Sequence, residues 1–200
     1  LINSKIRKTI KKFKKEKKIF NDDFSKNIQK RLNYELTNDQ TNALNEINKD
    51  LKSEEKMFRL LQGDVGSGKT IVALISCLNV VNSGYQVAFM APTEILAYQH
   101  YKLAQSLIKD KMKIGFLTSK TDYSERKKII NDLETSKLDI LFGTHSVFQE
   151  KINYKKLGLV VIDEQHKFGV KQRKKLSDKG GKNCDVLVMS ATPIPRTMIM

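Results

Sequence analysis

The 200-residue chain carries 37 Lys and Arg against 22 Asp and Glu, a formal net charge of +15. That length suits one α/β domain with an appendage and is enough to bury a core. No apolar run approaches the ~20 residues that span a bilayer, so neither a membrane helix nor a secretory signal is read in it. The charge suits a polyanionic partner such as nucleic acid, although a general enrichment in Lys, Asn and Ile would give the same excess. Cys77 and Cys184 have no metal-like spacing, which points to a reduced, cytoplasmic setting. The chain opens inside a basic run with no initiator Met and is expected to be part of something longer.

Residues 1–35 hold twelve Lys or Arg and four Asp or Glu. Ile2, Ile6, Ile10 and Phe13 fall at helical spacing, which predicts a basic amphipathic helix. It is either a solvated connector or a nucleic-acid arm, and the poor aromatic interleaving favours the connector. A second short helix is expected over 23–32. From residue 36 the pattern alternates. A helix over 39–51, capped by Thr37 or Asn38, precedes a strand at 58–62. A glycine-rich turn follows, then a helix over 69–81 closed by Asn82-Ser83-Gly84. Strands at 86–90, 113–117, 139–142, 157–162 and 185–189 come next. Helices are expected over 94–108, 124–133 and 170–177, with a short helical turn after residue 142. Short apolar strands separated by helices imply a parallel sheet covered on both faces. Such sheets bind ligands at the carboxyl ends of their strands.

The turn Gly63, Asp64, Val65, Gly66, Ser67, Gly68, Lys69, Thr70 matches the phosphate-binding pattern G-x-x-x-x-G-K-[ST] in full. Glycines let the backbone curl so that several N–H groups converge on one anion, and the following helix start adds its own donors and dipole. Lys69 is expected to reach the β- and γ-phosphates of ATP, and Thr70 to ligate Mg2+. The apolar strand at 157–162 runs into Asp163-Glu164-Gln165-His166. Asp163 can hold magnesium through its water shell, and Glu164 can polarise the water that attacks the γ-phosphate. His166 completes a D-E-x-H box and is expected on the γ-phosphate side. Ser190, Ala191 and Thr192 close the last strand.

Together these segments resemble the first motor domain of the superfamily 2 helicases and translocases, a RecA-like P-loop NTPase fold. The resemblance is carried by Leu36-Thr37-Asn38-Asp39-Gln40, GDVGSGKT from Gly63, APTEILAYQH from Ala91, GTHSVFQ from Gly143, DEQHKFGV from Asp163 and MSATPIPRT from Met189. It covers about residues 34–200 and implies one motor domain over 36–200, with 1–35 as a basic helical connector from an upstream domain. Within the superfamily the acidic box is similar to that of the branch-migration helicases. The transcription-repair coupling translocases, which usually read Asp-Glu-Glu-Gln-Arg-Phe-Gly-Val there, are the alternative.

The resemblance implies that Gln40 reads the adenine edge and that Ser190-Ala191-Thr192 couples nucleotide state to strand engagement. It also implies that Pro92, Thr93, Gly143, Thr144 and His145 hold the nucleic-acid backbone. Small hydroxyl residues and backbone N–H groups suit phosphate without base preference. An ATP-driven motor on branched double-stranded DNA follows, acting in recombination and repair, monomeric and away from membranes. A second motor domain would bring an arginine finger, and a wedge would lie upstream. Neither is contained in these 200 residues, so the isolated chain is expected to be nearly inactive. A nucleotide- or DNA-binding module without turnover is the reading of another class. A GTPase is disfavoured because no Asn-Lys-x-Asp occurs.

Overall fold

Strands buried on both faces need helices above and below them, and the chain supplies both layers. The computed structural model describes residues 2–6, 14–108, 112–149, 151–164 and 181–191. In chain order its elements are β1 (Ile2–Ile6), α1 (Asp22–Gln29), α2 (Asn38–Leu51), β2 (Phe58–Gly63), α3 (Lys69–Asn82), β3 (Gln86–Met90) and α4 (Glu94–Leu107). They continue with β4 (Ile114–Leu117), α5 (Tyr123–Glu134), β5 (Ile140–Gly143), a 3-10 turn (His145–Phe148), β6 (Leu157–Asp163) and β7 (Asp185–Ser190). The strands form one sheet in the order β1-β2-β7-β6-β3-β5-β4. From β2 to β4 every pairing is parallel.

Alternate residues along each strand serve opposite layers. Val87 and Phe89 of β3 face the layer that holds α2 and α3, whereas Ala88 and Met90 face Ile129 and Leu133 of α5. The expected RecA-like sheet with helices on both faces is therefore present. Helix α3 is the central one: every residue from Ile71 to Val80 is buried, because the sheet, α1 and α2 surround it. Its two polar residues in that run are both satisfied: Ser76 Oγ donates to Val72 O (2.9 Å), and Asn79 bonds Asn48 of α2 (2.9 Å) and Ser25 of α1 (2.7 Å). No helix among the described residues is long and apolar enough to cross a membrane.

One sequence expectation is overturned. Ile2–Ile6 is a strand, not a helix, and pairs antiparallel with β2 from Ile2↔Gly63 to Ile6↔Arg59. A four-residue spacing marks a shared face in both a helix and a strand, so Ile2 and Ile6 fit either period. The open edge of β2 decides in favour of the strand, because its backbone groups need partners. Ile10, Phe13 and the helix expected over 170–177 lie outside the described residues.

The basic segment that follows is partly built into the core. Phe20 and Ile28 join the cluster around α2 and α3. Two lysines converge on one buried carboxylate at the start of β7: Lys15 Nζ and Lys18 Nζ each donate to Asp185 Oδ2 at 2.6 Å. Asp185 Oδ1 accepts from Met57 N at 2.6 Å. Lys15 Nζ also donates to the carbonyls of Asp50 and Leu51, and Lys18 Nζ to that of Asn183, all at 3.1 Å. Burial pushes the Lys15 ammonium below the usual lysine range, opposed by Asp185.

Candidate active site

The phosphate loop leaves β2 at Gly63 and enters α3 at Lys69. Gly66 and Gly68 both sit at φ 80°, the left-handed region that glycine occupies without penalty. Around Gly66 a side chain would meet nothing within 4 Å, so the loop is open there. At Gly68 an added Cβ would collide with the Gln40 amide. That amide locks α2 to the loop: Gln40 Nε2 donates to Ser67 O at 2.9 Å, while its Oε1 accepts from Thr37 N at 2.9 Å. Thr37 Oγ1 accepts in return from Gln40 N at 3.3 Å, a capping box. Lys69 Nζ folds over the loop and donates to the carbonyls of Gly63 (2.6 Å) and Asp64 (2.7 Å).

Two features of the loop point to an anion. The N-terminus of α3 carries no side-chain cap, and its N-cap is Gly68, so its first N–H groups face outward with the positive dipole end. Ser67 Oγ is, among the described residues, a buried side-chain oxygen without a hydrogen-bond partner. In a native protein such an oxygen is satisfied by a ligand, an ion or an ordered water.

Asp163 and Glu164 close β6, beside β7. Asp163 is nearly buried and its Oδ2 lies 2.8 Å from His100 Nε2. Glu164 adopts φ 54°, unusual for a residue with a Cβ and a form of strain typical of functional positions. The strain is held by two bonds to the next segment. Glu164 N donates to Met189 O at 3.0 Å, and Ala191 N donates to Glu164 Oε1 at 3.3 Å. Glu164 and the segment at Ser190 and Ala191 thus meet directly.

A second edge cluster lies across the sheet. Thr93 caps α4, its Oγ1 accepting from Leu96 N at 3.3 Å. Ala91 N donates to Gly143 O at 3.0 Å, which ties the Pro92-Thr93 turn to the Gly143-Thr144-His145 turn. Gly143 is required by close approach, because a Cβ there would run into the Leu117 carbonyl oxygen and Val147. Thr93 and His145 are exposed and Pro92 and Thr144 half-buried. His166 and Thr192 lie outside the described residues. Two side-chain partnerships at this edge are not apparent from the sequence. One is His100, which follows Ala97 on the buried stripe of α4 with Ala104 and Leu107. A polar ring on an apolar stripe is the available signal. The other is the hold of Gln40 on Ser67.

A profile of the DEAD/DEAH box helicase family matches residues 37–199. The chain belongs to that family. Among its curated relatives, the ATP-dependent DNA helicase RecG of Aquifex aeolicus is 48% identical over 193 residues, covering 96% of this chain and 24% of its own length. RecG of Thermotoga maritima is 51% identical over 172 residues, covering 86% of this chain and 22% of its own length. A solved structure of RecG bound to a three-way DNA junction superposes with a TM-score of 0.81 at 44% identity, covering 93% of this chain and 25% of that one. The chain thus spans about a quarter of the length of the relatives it matches.

For a metal, the chain offers hard oxygen donors, the Thr70 hydroxyl and the Asp163 carboxylate. Among the described residues no three His, Cys, Asp or Glu cluster so as to hold an ion by themselves. That donor set fits magnesium, which takes one or two protein oxygens and completes its shell with phosphate and water.

Proposed function

We propose that this chain is the first, ATP-binding motor domain of an ATP-dependent DNA helicase that acts on branched double-stranded DNA. Fork regression and junction branch migration in recombination and repair are its work, in the cytoplasm and as a monomer. The observation that carries this reading is the bonded sequence of motifs along one sheet edge. The phosphate loop, the acidic box and the Ser190-Ala191 segment close three strands of one sheet, and strained Glu164 is bonded to Met189 and Ala191. The similarity to RecG, one member of which is solved on a three-way DNA junction, supports the choice of substrate.

In this mechanism Lys69 exchanges the Gly63 and Asp64 carbonyls for β- and γ-phosphate oxygens, and the loop N–H groups with Ser67 Oγ take the rest of the phosphate chain. Thr70 and Asp163 would hold magnesium, which neutralises developing phosphate charge when bound. Glu164 accepts a proton from the attacking water, and the direct bond from Ala191 reports that change to the strand-engaging segment. Gln40, whose amide is bonded to Thr37 and Ser67, offers the adenine edge only its remaining N–H and oxygen lone pair. His166 and Thr192 complete the two motifs. Pro92, Thr93, Gly143, Thr144 and His145 hold the backbone of one strand. A second motor domain of the full-length protein supplies the arginine finger, and an upstream wedge meets the junction.

The test is turnover in the full-length protein. Glu164→Gln keeps an oxygen to accept from Ala191 and loses the base, so it should bind ATP and hydrolyse it about 10²–10⁴-fold more slowly. Lys69→Ala should lose productive binding. Near-normal turnover in Glu164→Gln removes Glu164 from the mechanism. The 200-residue chain alone should show almost no DNA-stimulated hydrolysis, since a missing arginine finger costs about 10³–10⁵ in rate.

A further inference from the structure

His100 closes the APTEILAYQH segment, outside the phosphate loop and the acidic box, yet its ring holds Asp163. Its Nε2 stands 2.8 Å from Asp163 Oδ2, and both residues are nearly buried. The ring is fixed from the other side: it packs on Phe89 of β3 with centroids 5.0 Å apart, and Phe89 stacks on Phe142 of β5 at 5.1 Å. A buried ring wedged in this way has little rotamer freedom. It therefore dictates where the carboxylate points, keeping Oδ2 turned to α4 and leaving Oδ1 for other partners.

The helix that carries His100 begins at the opposite cluster. Thr93 caps α4 and His100 lies seven residues further, two turns or about 10 Å along the axis. The intervening backbone is continuous α-helix, so a displacement at the Thr93 end is transmitted to the ring. The Pro92-Thr93 turn is in turn tied to Gly143 through Ala91 N. This helix has one end at the edge proposed to contact phosphate and the other on the acid of the nucleotide site, so it offers a contiguous route between the two.

We infer that His100 is a positioning residue that sets the Asp163 carboxylate for magnesium and couples that setting to backbone contact at Thr93. The inference rests on the ATP-site reading above and adds to it the route by which DNA reaches that site. Outer partners of this kind typically carry about 10–100-fold in metal affinity or activity.

The experiment uses the full-length protein and a fluorescent ribose-modified ATP analogue, titrated with Mg2+ and, separately, in EDTA. His100→Leu keeps the packing on Phe89 and removes the donor. It should raise the Mg2+ midpoint for analogue binding about 10-fold or more. Analogue binding in EDTA and DNA affinity without nucleotide should stay as in wild type, and the fold stimulation of ATPase by branched DNA should be lost. His100→Gln, whose amide nitrogen can occupy the place of Nε2, should return the midpoint to within about 3-fold of wild type, a rescue that a purely structural role would not produce. Should His100→Leu not fold, His100→Asn, whose amide nitrogen takes the place of Nδ1, carries the same expectation. A Mg2+ midpoint and a DNA stimulation both equal to wild type in the donor-less variant overturn the role of His100. Wild-type protein that binds the analogue no better than Lys69→Ala overturns the ATP-site reading and His100 with it.

Discussion

Asp185→Asn tests whether the basic N-terminal segment is held by charge. The wild-type carboxylate is fully buried, and two ammonium groups, Lys15 and Lys18, are equally buried against it at 2.6 Å. The amide keeps an oxygen for Met57 N but leaves two cations without their counter-charge. Breaking a buried pair by removing one partner typically costs about 3–5 kcal/mol, a large share of the roughly 5–15 kcal/mol usual for a whole domain. In urea, with a slope of about 2–3 kcal/mol/M for a chain of this size, the midpoint should fall by about 1–2.5 M. The triple variant Lys15→Met, Lys18→Met, Asp185→Asn should recover most of the loss, because no buried charge remains. The carbonyls it strips are covered in part already: Leu51 O accepts from Lys18 N at 3.2 Å and Asp50 O from Ser53 Oγ at 2.8 Å. The assay is equilibrium unfolding of the 200-residue chain followed by circular dichroism. An Asp185→Asn midpoint unmoved, or a triple variant less stable than the single one, would refute the charge hub.

Gly143→Ala should destabilise by about 1–3 kcal/mol, since its Cβ meets the Leu117 carbonyl and Val147; Gly66→Ala, with open space around it, should cost only about 1–2 kcal/mol of left-handed strain, and thermal melts compare the two. Burial pushes the Cys184 thiol up to about 12, so its share of stability is intact below the ordinary thiol value and is lost as pH rises through about 12. At pH 8 the native thiol should resist iodoacetamide while unfolded chain reacts at once, and rapid native labelling, read by mass spectrometry, would contradict the burial. Thr144→Ala should leave basal ATP hydrolysis of the full-length protein intact and weaken its stimulation by branched DNA. Identical stimulation curves would take Thr144 off the DNA path.

The sheet and the nucleotide motifs are legible in the sequence because their signals are local. Apolar strands, a glycine-rich turn and acids at a strand end can be read within a few residues, and each falls at the carboxyl edge where the topology puts it. What stays hidden is long-range and polar. Nothing near Asp185 in sequence announces that Lys15 and Lys18, more than 160 residues earlier, neutralise it. His100 and Asp163 are likewise 63 residues apart. Periodicity fails at Ile2–Ile6 for a different reason: the spacing fits two periods, and the edge of β2 makes the choice between them. For Gln40, resemblance points to adenine, whereas its amide is bonded to Thr37 and Ser67 in the loop's own scaffold.

The buried lysines also change how DNA binding by the N-terminal segment has to be tested. Neutralising Lys11, Lys12, Lys14 and Lys15 together would flatten the salt dependence of binding if all four met phosphate, by about one unit of slope for each phosphate no longer neutralised. Lys15 cannot meet phosphate, because its ammonium is spent on Asp185 and two backbone carbonyls. Removing it strips Asp185 of one of its two counter-ions and weakens the fold, so a fall in affinity would be ambiguous. Lys14 and Lys17 are the better choice. Both are exposed, and Lys17 pairs with an exposed carboxylate, Glu54, at 3.2 Å, an ion pair worth little to stability. Lys14→Gln with Lys17→Gln in the full-length protein should therefore leave the unfolding midpoint in place. With the segment docked on the sheet as a connector, the slope of log affinity against log salt should also be unchanged. A slope reduced by about 2, with stability intact, would make the segment a DNA-contacting arm.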